Sequence, residues 1–341
     1  MKKIFACAAC VMLLCIFFPL SAAANGETQA AGEEVFTLSF VGDLTLGTDP
    51  NISGGPNSFP SMIGTDYSYP LQNVAEYFLE DDLTLGNFEG VLRSGGYIPK
   101  ENGFSFKGDP AYTAILTQGG VDVVSLANNH SGDYGQRGLA NTYSLLEEAG
   151  VPGILQNEYR VIETESGLKV GVLALLFQAK PKTVAAAVDA MRREGAELIV
   201  ALIHWGVERS YHPSRTQEQL GKALIDAGVH IVCGSHPHVL QKIEEYGDGV
   251  IYYSLANFCF GGNRYPSDMD TAIIRQQVIR RADGTVSLGE RTIIPACVSS
   301  QTPMNNFQPT PYPEGSESYN RVLSKLEGSF SGNPKQQTYP W

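Results

Sequence analysis

Four of the six histidines in this 341-residue chain fall just past short apolar runs, in a set that also holds amides and carboxylates. Asn129 and His130 close "VDVVSLANNH", His204 follows "AELIVALI", and His236 and His238 close "VHIVCGSHPH". Asp43 ends "VFTLSFVGD", and Asn87 and Glu89 end "DDLTLGNFE". Imidazole nitrogens with carboxylate and amide oxygens suit Zn, Mn, Fe or Co better than Ca. One or two such ions would lower the pKa of bound water and supply hydroxide for hydrolysis. A single Asp or His after a strand is commonplace, and Pro237 makes "HPH" read as a turn. Five polar clusters in the same place after five apolar runs are harder to dismiss. In an extended segment residues two apart share a side, so His236 and His238 are expected to reach one metal centre. Cys233 and Cys259 sit inside apolar runs without CxxC spacing and are poor ligands.

The elements that must position these groups follow from pattern. Each of the five runs is short, rich in β-branched residues and bounded by polar residues, as strands are. In α/β sheets, ligands bind at the carboxyl ends of strands. Helical patterns lie between. "PLQNVAEYFLED" places Leu71, Val74 and Phe78 on one face. "GLANTYSLLEEAG" and "TVAAAVDAMRREG" end on Gly150 and Gly195, which is a C-terminal signal. "TQEQLGKALIDAG" predicts a capping box of Thr216 and Gln219. Turns at Ser166-Gly167, Asp248-Gly249 and Asp283-Gly284 predict hairpins. The fold class is therefore α/β, with mixed sheets packed as a sandwich and helices outside. No internal repeat of fixed period is present.

The chain is long enough for one large domain or two small ones. Its formal net charge is -12, with no basic stripe to neutralise phosphates, which argues against nucleic acid. Lys2 and Lys3 precede an apolar stretch, Ile4 to Leu20, that is short for a membrane span. "SAAAN" then offers a small-x-small cleavage pattern, so residues 1–24 read as a secretory signal. The alternative is an uncleaved anchor. Losing the two lysines takes the net charge from -12 to -14. Leu14 argues against a lipid-modified Cys15. Cys233, Cys259 and Cys297 remain, either as one bridge and a free thiol or as three buried thiols. The expected layout is a linker at 25–34, a domain at 35–300, and a Pro- and Ser-rich segment at 301–341 with a short helix in "SYNRVLSKLEGSF".

The stretches "FVGDLTLG", "NFEGVL", "VVSLANNHSGDYGQRGL", "IHWGVE", "GSHPHVLQKIE" and "YYSLANFCFGG" run in order from Phe40 to Gly262. Together they resemble the bacterial capsule-synthesis (CapA-like) family, named for poly-γ-glutamate biosynthesis and similar in fold to calcineurin-like metallophosphoesterases. The resemblance implies a metallophosphoesterase-like mixed β-sandwich flanked by helices. It implies that Asp43, Asn129, His204, His236 and His238 are metal ligands. It puts His130 where a general acid or charge stabiliser stands. Two positions depart from the superfamily pattern. Thr45 replaces the histidine of Asp-x-His, and Asn87 stands where a bridging aspartate is usual. Either Glu89, two residues on, supplies that carboxylate, or the site holds one ion rather than two. Arg209 stands where family members often carry an aromatic residue.

Two functions from different classes follow. The first is an extracytoplasmic metal-dependent hydrolase of the phosphoesterase type, acting on an anionic polymer or a small ester or amide. Lys107 and Arg137 are its candidate anion-binding residues. The second is a non-catalytic partner in assembly or export of an anionic capsule polymer, working with membrane-bound capsule machinery. Asn257, in "SLANFCFGG", is read as a residue supporting the site rather than as a ligand.

Overall fold

The computed structural model describes residues 32–52, 54–95 and 103–332. The expected targeting segment and most of the linker lie outside the described residues. Sixteen strands are present among those residues. They are β1 Glu34–Thr45, β2 Leu83–Phe88, β3 Val91–Leu92, β4 Lys107–Gly108, β5 Val123–Ser125, β6 Gly153–Ile154, β7 Tyr159–Glu163, β8 Lys169–Leu176, β9 Leu198–His204, β10 Ile231–Ser235, β11 Leu240–Tyr246, β12 Gly249–Leu255, β13 Asn257–Phe260, β14 Asp270–Arg280, β15 Val286–Cys297 and β16 Thr310–Pro311. The helices are α1 Phe59–Ile63, α2 Ala75–Leu79, α3 Thr113–Gly119, α4 Gly135–Glu148, α5 Pro181–Arg193, α6 Arg215–Asp226 and α7 Glu317–Glu327.

One sheet has the order β16-β15-β14-β1-β2-β5-β6, with β13 also paired to β1. The other has the order β11-β12-β10-β9-β8-β7. Their central strands are parallel and their outer hairpins antiparallel. This is the mixed sandwich expected, and β9 shows why it forms. Leu198, Val200 and Leu202 enter the core between the sheets, while Ile199, Ala201 and Ile203 enter a second core with Val184, Val188 and Leu224 of α5 and α6. A strand buried on both faces must be apolar throughout, which is what "LIVALI" supplies. On the far side of the first sheet, Phe59, Phe78, Ile115 and Leu146 of α1 to α4 form a third core. The layers thus run helix, sheet, sheet, helix.

Several local expectations shift. The capping box of α6 is Ser214 with Gln217, two residues before the predicted pair. Ser214 is extended, at φ -68 and ψ 157, and can cap; Thr216 already lies inside the helix. The hairpin before β12 turns at Gly247-Asp248, because Tyr246 pairs with Gly249. Cys233, Cys259 and Cys297 are three buried free thiols.

The 301–328 stretch belongs to the same body as the sandwich. Tyr312, Val322 and Leu326 enter the core between the sheets. Buried Lys325 donates to Asp268 and Asp270 at 2.7 Å each, and Arg321 grips Asp270 with two bonds of 2.7 Å. Among the described residues no helix is long and apolar enough to cross a membrane.

Candidate metal centre

Register brings the strand-end residues together. Parallel pairing sets Asp43 opposite Asn87 and Asn87 opposite Ser125 in the first sheet. It sets His204 opposite Ser235 in the second. The carboxyl ends of both sheets therefore open at one place. Gly42 makes this approach possible. A Cβ there would lie 1.9 Å from the Ala256 carbonyl, and the next residue, Asp43, donates its N–H to that same oxygen at 2.9 Å.

His236 and His238 are not in an extended segment. The strand stops at Ser235, and both residues have positive φ, +97° and +55°. A turn, not strand alternation, brings the two rings to the site, with centroids 5.9 Å apart. Arg209 and Ala256 close by also have positive φ. Such backbone costs about 1–3 kcal/mol per residue and collects at functional sites.

Asp43 and Glu89 are fully buried, and His204 and Asn87 nearly so. Asn87 Nδ2 donates to Asp43 Oδ1 at 2.8 Å, and its Oδ1 accepts from Asn128 Nδ2 at 3.1 Å. The Asn87 amide is thus turned to protein partners. Glu89 is not: Thr45 Oγ1 donates to its Oε2 at 3.3 Å, while Oε1 lies 3.8 Å from His204 Nε2 and 3.9 Å from His130 Nε2. Of the two alternatives at this position, Glu89 presents the carboxylate to the centre. His204 Nε2 meets Asn129 Oδ1 at 2.6 Å, and its Nδ1 meets Ser235 Oγ at 2.9 Å. His238 Nδ1 donates to Asn257 Oδ1 at 2.9 Å and lies 3.2 Å from Asp43 Oδ2.

Two buried atoms here, Glu89 Oε1 and His236 Nδ1, make no hydrogen bond, and Asp43 Oδ2 meets His238 Nδ1 at 3.2 Å. Buried polar atoms without partners are costly and uncommon. Asp43, Glu89 and His238 offer ligand atoms within 4.8 Å of one another, as do Glu208, His236 and His238. A divalent cation would satisfy these donors, and the N/O set suits the metals named above.

The electrostatics of the site follow from the same burial and charges. Burial, then the Asp43 charge, pushes Glu89 up to about 7. Burial holds His204 well below its usual value, and burial with the His238 charge lowers His236. Burial also opposes charge on His238 and Asp43. Glu89 and Asp43 nevertheless raise His238 to about 10, and His238 and His204 hold Asp43 below the usual carboxylate range. Asp43 and His238 thus each favour the charged form of the other across their 3.2 Å contact.

His130 stands at the rim. Its Nδ1 bonds Asp133 Oδ2 at 2.8 Å, which directs Nε2 toward Glu89. The Phe106 ring lies over it, centroids 4.4 Å apart. A cavity of about 320 Å³ opens beside His130 and His238, lined also by Phe106, Phe260, Glu208 and Arg209. A second, about 430 Å³, opens on the other flank beside Asn129, His204 and His236, with Phe177 and Trp205.

Lys107 and Arg137 are not brought to this site. Lys107 lies in β4 and lines a separate cavity with Arg93. Arg137 is exposed near the start of α4. Arg209 is the cation that lines the His130 cavity. Sequence reasoning did not find Asn128, Asp133, Ser235 or Glu208. Asp133 and Glu208 could have been flagged, since each lies within four residues of a candidate histidine.

The fold and site together define a two-sheet α/β protein with a buried cluster of carboxylates and histidines at the carboxyl ends of its strands, whose groups could hold a metal ion. The chain belongs to the bacterial capsule synthesis protein PGA_cap family, whose model matches residues 37–262. It is 28% identical over 298 residues to the capsule biosynthesis protein CapA of Bacillus anthracis, covering 79% of this chain and 69% of that one. It is 26% identical over 296 residues to the PGA biosynthesis protein CapA of Bacillus subtilis, covering 80% and 76%. Among solved structures, NAD nucleotidase of Haemophilus influenzae aligns at a TM-score of 0.44 and 13% identity, covering 86% of this chain and 63% of that one.

Proposed function

We propose that this protein is a metal-dependent hydrolase of the phosphoester type, acting outside the cytoplasm in capsule or poly-γ-glutamate metabolism. One observation carries the reading: two buried polar atoms without hydrogen-bond partners, Glu89 Oε1 and His236 Nδ1, converge at the strand ends with the Asp43 carboxylate, next to a histidine held by a buried carboxylate. Asp43, Glu89, Asn129, His204, His236 and His238 would hold one or two divalent ions. A bound ion would supply an activated water near neutral pH. His130 then offers Nε2 to the leaving group, oriented by Asp133 through Nδ1. Arg209 provides positive charge at the cavity rim for an anionic substrate. The names of the two CapA relatives support the cellular role, and the Lys2–Leu20 pattern supports export. The test is a hydrolase screen on phosphoesters and amides, with and without Mn, Zn, Fe or Co. Turnover that requires the metal and is lost in His130→Ala supports the reading. N-terminal sequencing of the exported chain should begin near Asn25.

The contact of Asp43 with His238 favours a second reading. The polar set would then be structural, and Arg209 at the cavity rim would meet polymer carboxylates in an assembly partner. Metal-free purified protein that binds polyglutamate but hydrolyses nothing would select it.

A further inference from the structure

We infer that Glu208, in the turn after β9, is a further ligand of the metal centre, entering from the solvent side. The inference rests on the metal reading above. Its carboxylate, with His236 and His238, offers ligand atoms all within 4.8 Å of one another. The position of Glu208 is built rather than accidental. The Arg209 N–H donates to the Pro237 carbonyl at 2.7 Å, so this turn is tied directly to the one carrying the two histidines. Arg209 takes a φ of +62° to make that bond. Gly206 enters the turn at φ +93° against the Gln217 amide, where a Cβ would lie 2.7 Å from the side-chain nitrogen. Gln217 is fixed in turn by Ser214 and by Gln241. The turn is thus clamped from both sides, with Glu208 over the histidine pair.

The chemistry is complementary. Asp43 and Glu89 approach from the protein interior and are fully buried. Glu208 is exposed and lines the cavity that His130 and His238 also line. An ion between these groups would meet carboxylate oxygen on both its inner and outer sides. His236 Nδ1, buried and without a hydrogen-bond partner, would gain one. A hard or borderline divalent ion such as Mn or Co takes such a mixed set.

The experiment uses chelator-stripped full-length protein titrated with cobalt(II) chloride, followed by calorimetry and by visible absorption. Glu208→Gln keeps size and removes charge on an exposed residue, so folding is retained. The expected result is a Co affinity about tenfold or more weaker, since even residues that only orient ligands cost ten- to a hundredfold. One ion lost from the stoichiometry, with a changed cobalt spectrum, is an equally supportive result. Glu208→Asp should recover part of the affinity. Wild-type affinity, stoichiometry and spectrum in Glu208→Gln would overturn the assignment, and lost turnover with unchanged cobalt binding would do so too by making Glu208 a proton-transfer group. If His236→Ala loses cobalt while Glu208→Gln does not, only the Glu208 assignment fails. If the wild type binds no cobalt, the metal reading fails with it.

Discussion

Replacing Asp133 by Asn should slow turnover while leaving the metal in place. Asp133 is buried, and one oxygen, Oδ2, accepts from both His130 Nδ1 at 2.8 Å and the Phe106 N–H at 2.7 Å. An Asn can set its oxygen at the same point and keep both bonds, so the loop keeps its shape. What disappears is the negative charge that stabilises His130 when it carries a proton. Hydrogen bonds to charged groups contribute about 1.5–3 kcal/mol. At about 1.36 kcal/mol per factor of ten, the loss is roughly ten- to a hundredfold in rate. His130 is proposed to protonate the leaving group, so the loss should be larger for phenyl phosphate than for p-nitrophenyl phosphate, whose leaving group needs no proton. The assay compares both esters for wild type and variant, with metal content measured on the same samples. Equal losses on the two esters would refute general-acid action by His130. Lost metal would show that Asp133 supports the ligand set instead.

Other outcomes follow from the same geometry. His236→Ala and His238→Ala should each lose metal by elemental analysis, whereas His130→Ala should keep it and lose about a hundredfold to ten-thousandfold in rate; full occupancy in the first two would remove them from the ligand set. Asn257→Ala should weaken metal binding by about ten- to a hundredfold, because Asn257 holds the His238 ring rather than facing the ion, and complete loss of metal would contradict that role. Gly42→Ala should destabilise by at least about 1–3 kcal/mol in denaturant unfolding, since its Cβ would collide with the Ala256 carbonyl; an unchanged midpoint would mean the strands can part freely. Acid should loosen the clamp between α7 and β14. Burial opposes the charge on Asp270, but Lys325 and Arg321 hold it below its usual 3.8. The stabilisation is therefore full above about pH 4 and lost as pH falls through the lower folded value. Lys325→Met should shrink that acid transition in a stability-against-pH curve, leaving the part that Arg321 supplies, and an unchanged transition would point to other carboxylates.

Much of the fold was legible because periodicity reports burial directly. The run "LIVALI" could only be a strand covered on both faces, and the positions of five such runs placed the polar clusters at one end of the sheets. Register then did what spacing could not: Asp43, Asn87 and Ser125 are aligned by parallel pairing across 82 residues of chain. Features set by turns were less visible. His236 and His238 converge through left-handed backbone, so the turn, and not the strand alternation expected, brings the two rings together. Sequence position alone does not say which cavity Lys107 meets, and it lines one separate from that of His130. The C-terminal stretch is the clearest case of hidden order. In sequence, Lys325 and Arg321 look like solvated charges on an ordinary helix beyond a Pro- and Ser-rich run. Their partners, Asp268 and Asp270, lie more than fifty residues earlier. A buried ion pair has no local signature, because each half is costly alone and acceptable only beside the other. Asp268 also lines the cavity beside His130 and accepts from Tyr211 at 2.6 Å. The helix that composition set apart as a tail is therefore bonded, through one aspartate, to the wall of the candidate site.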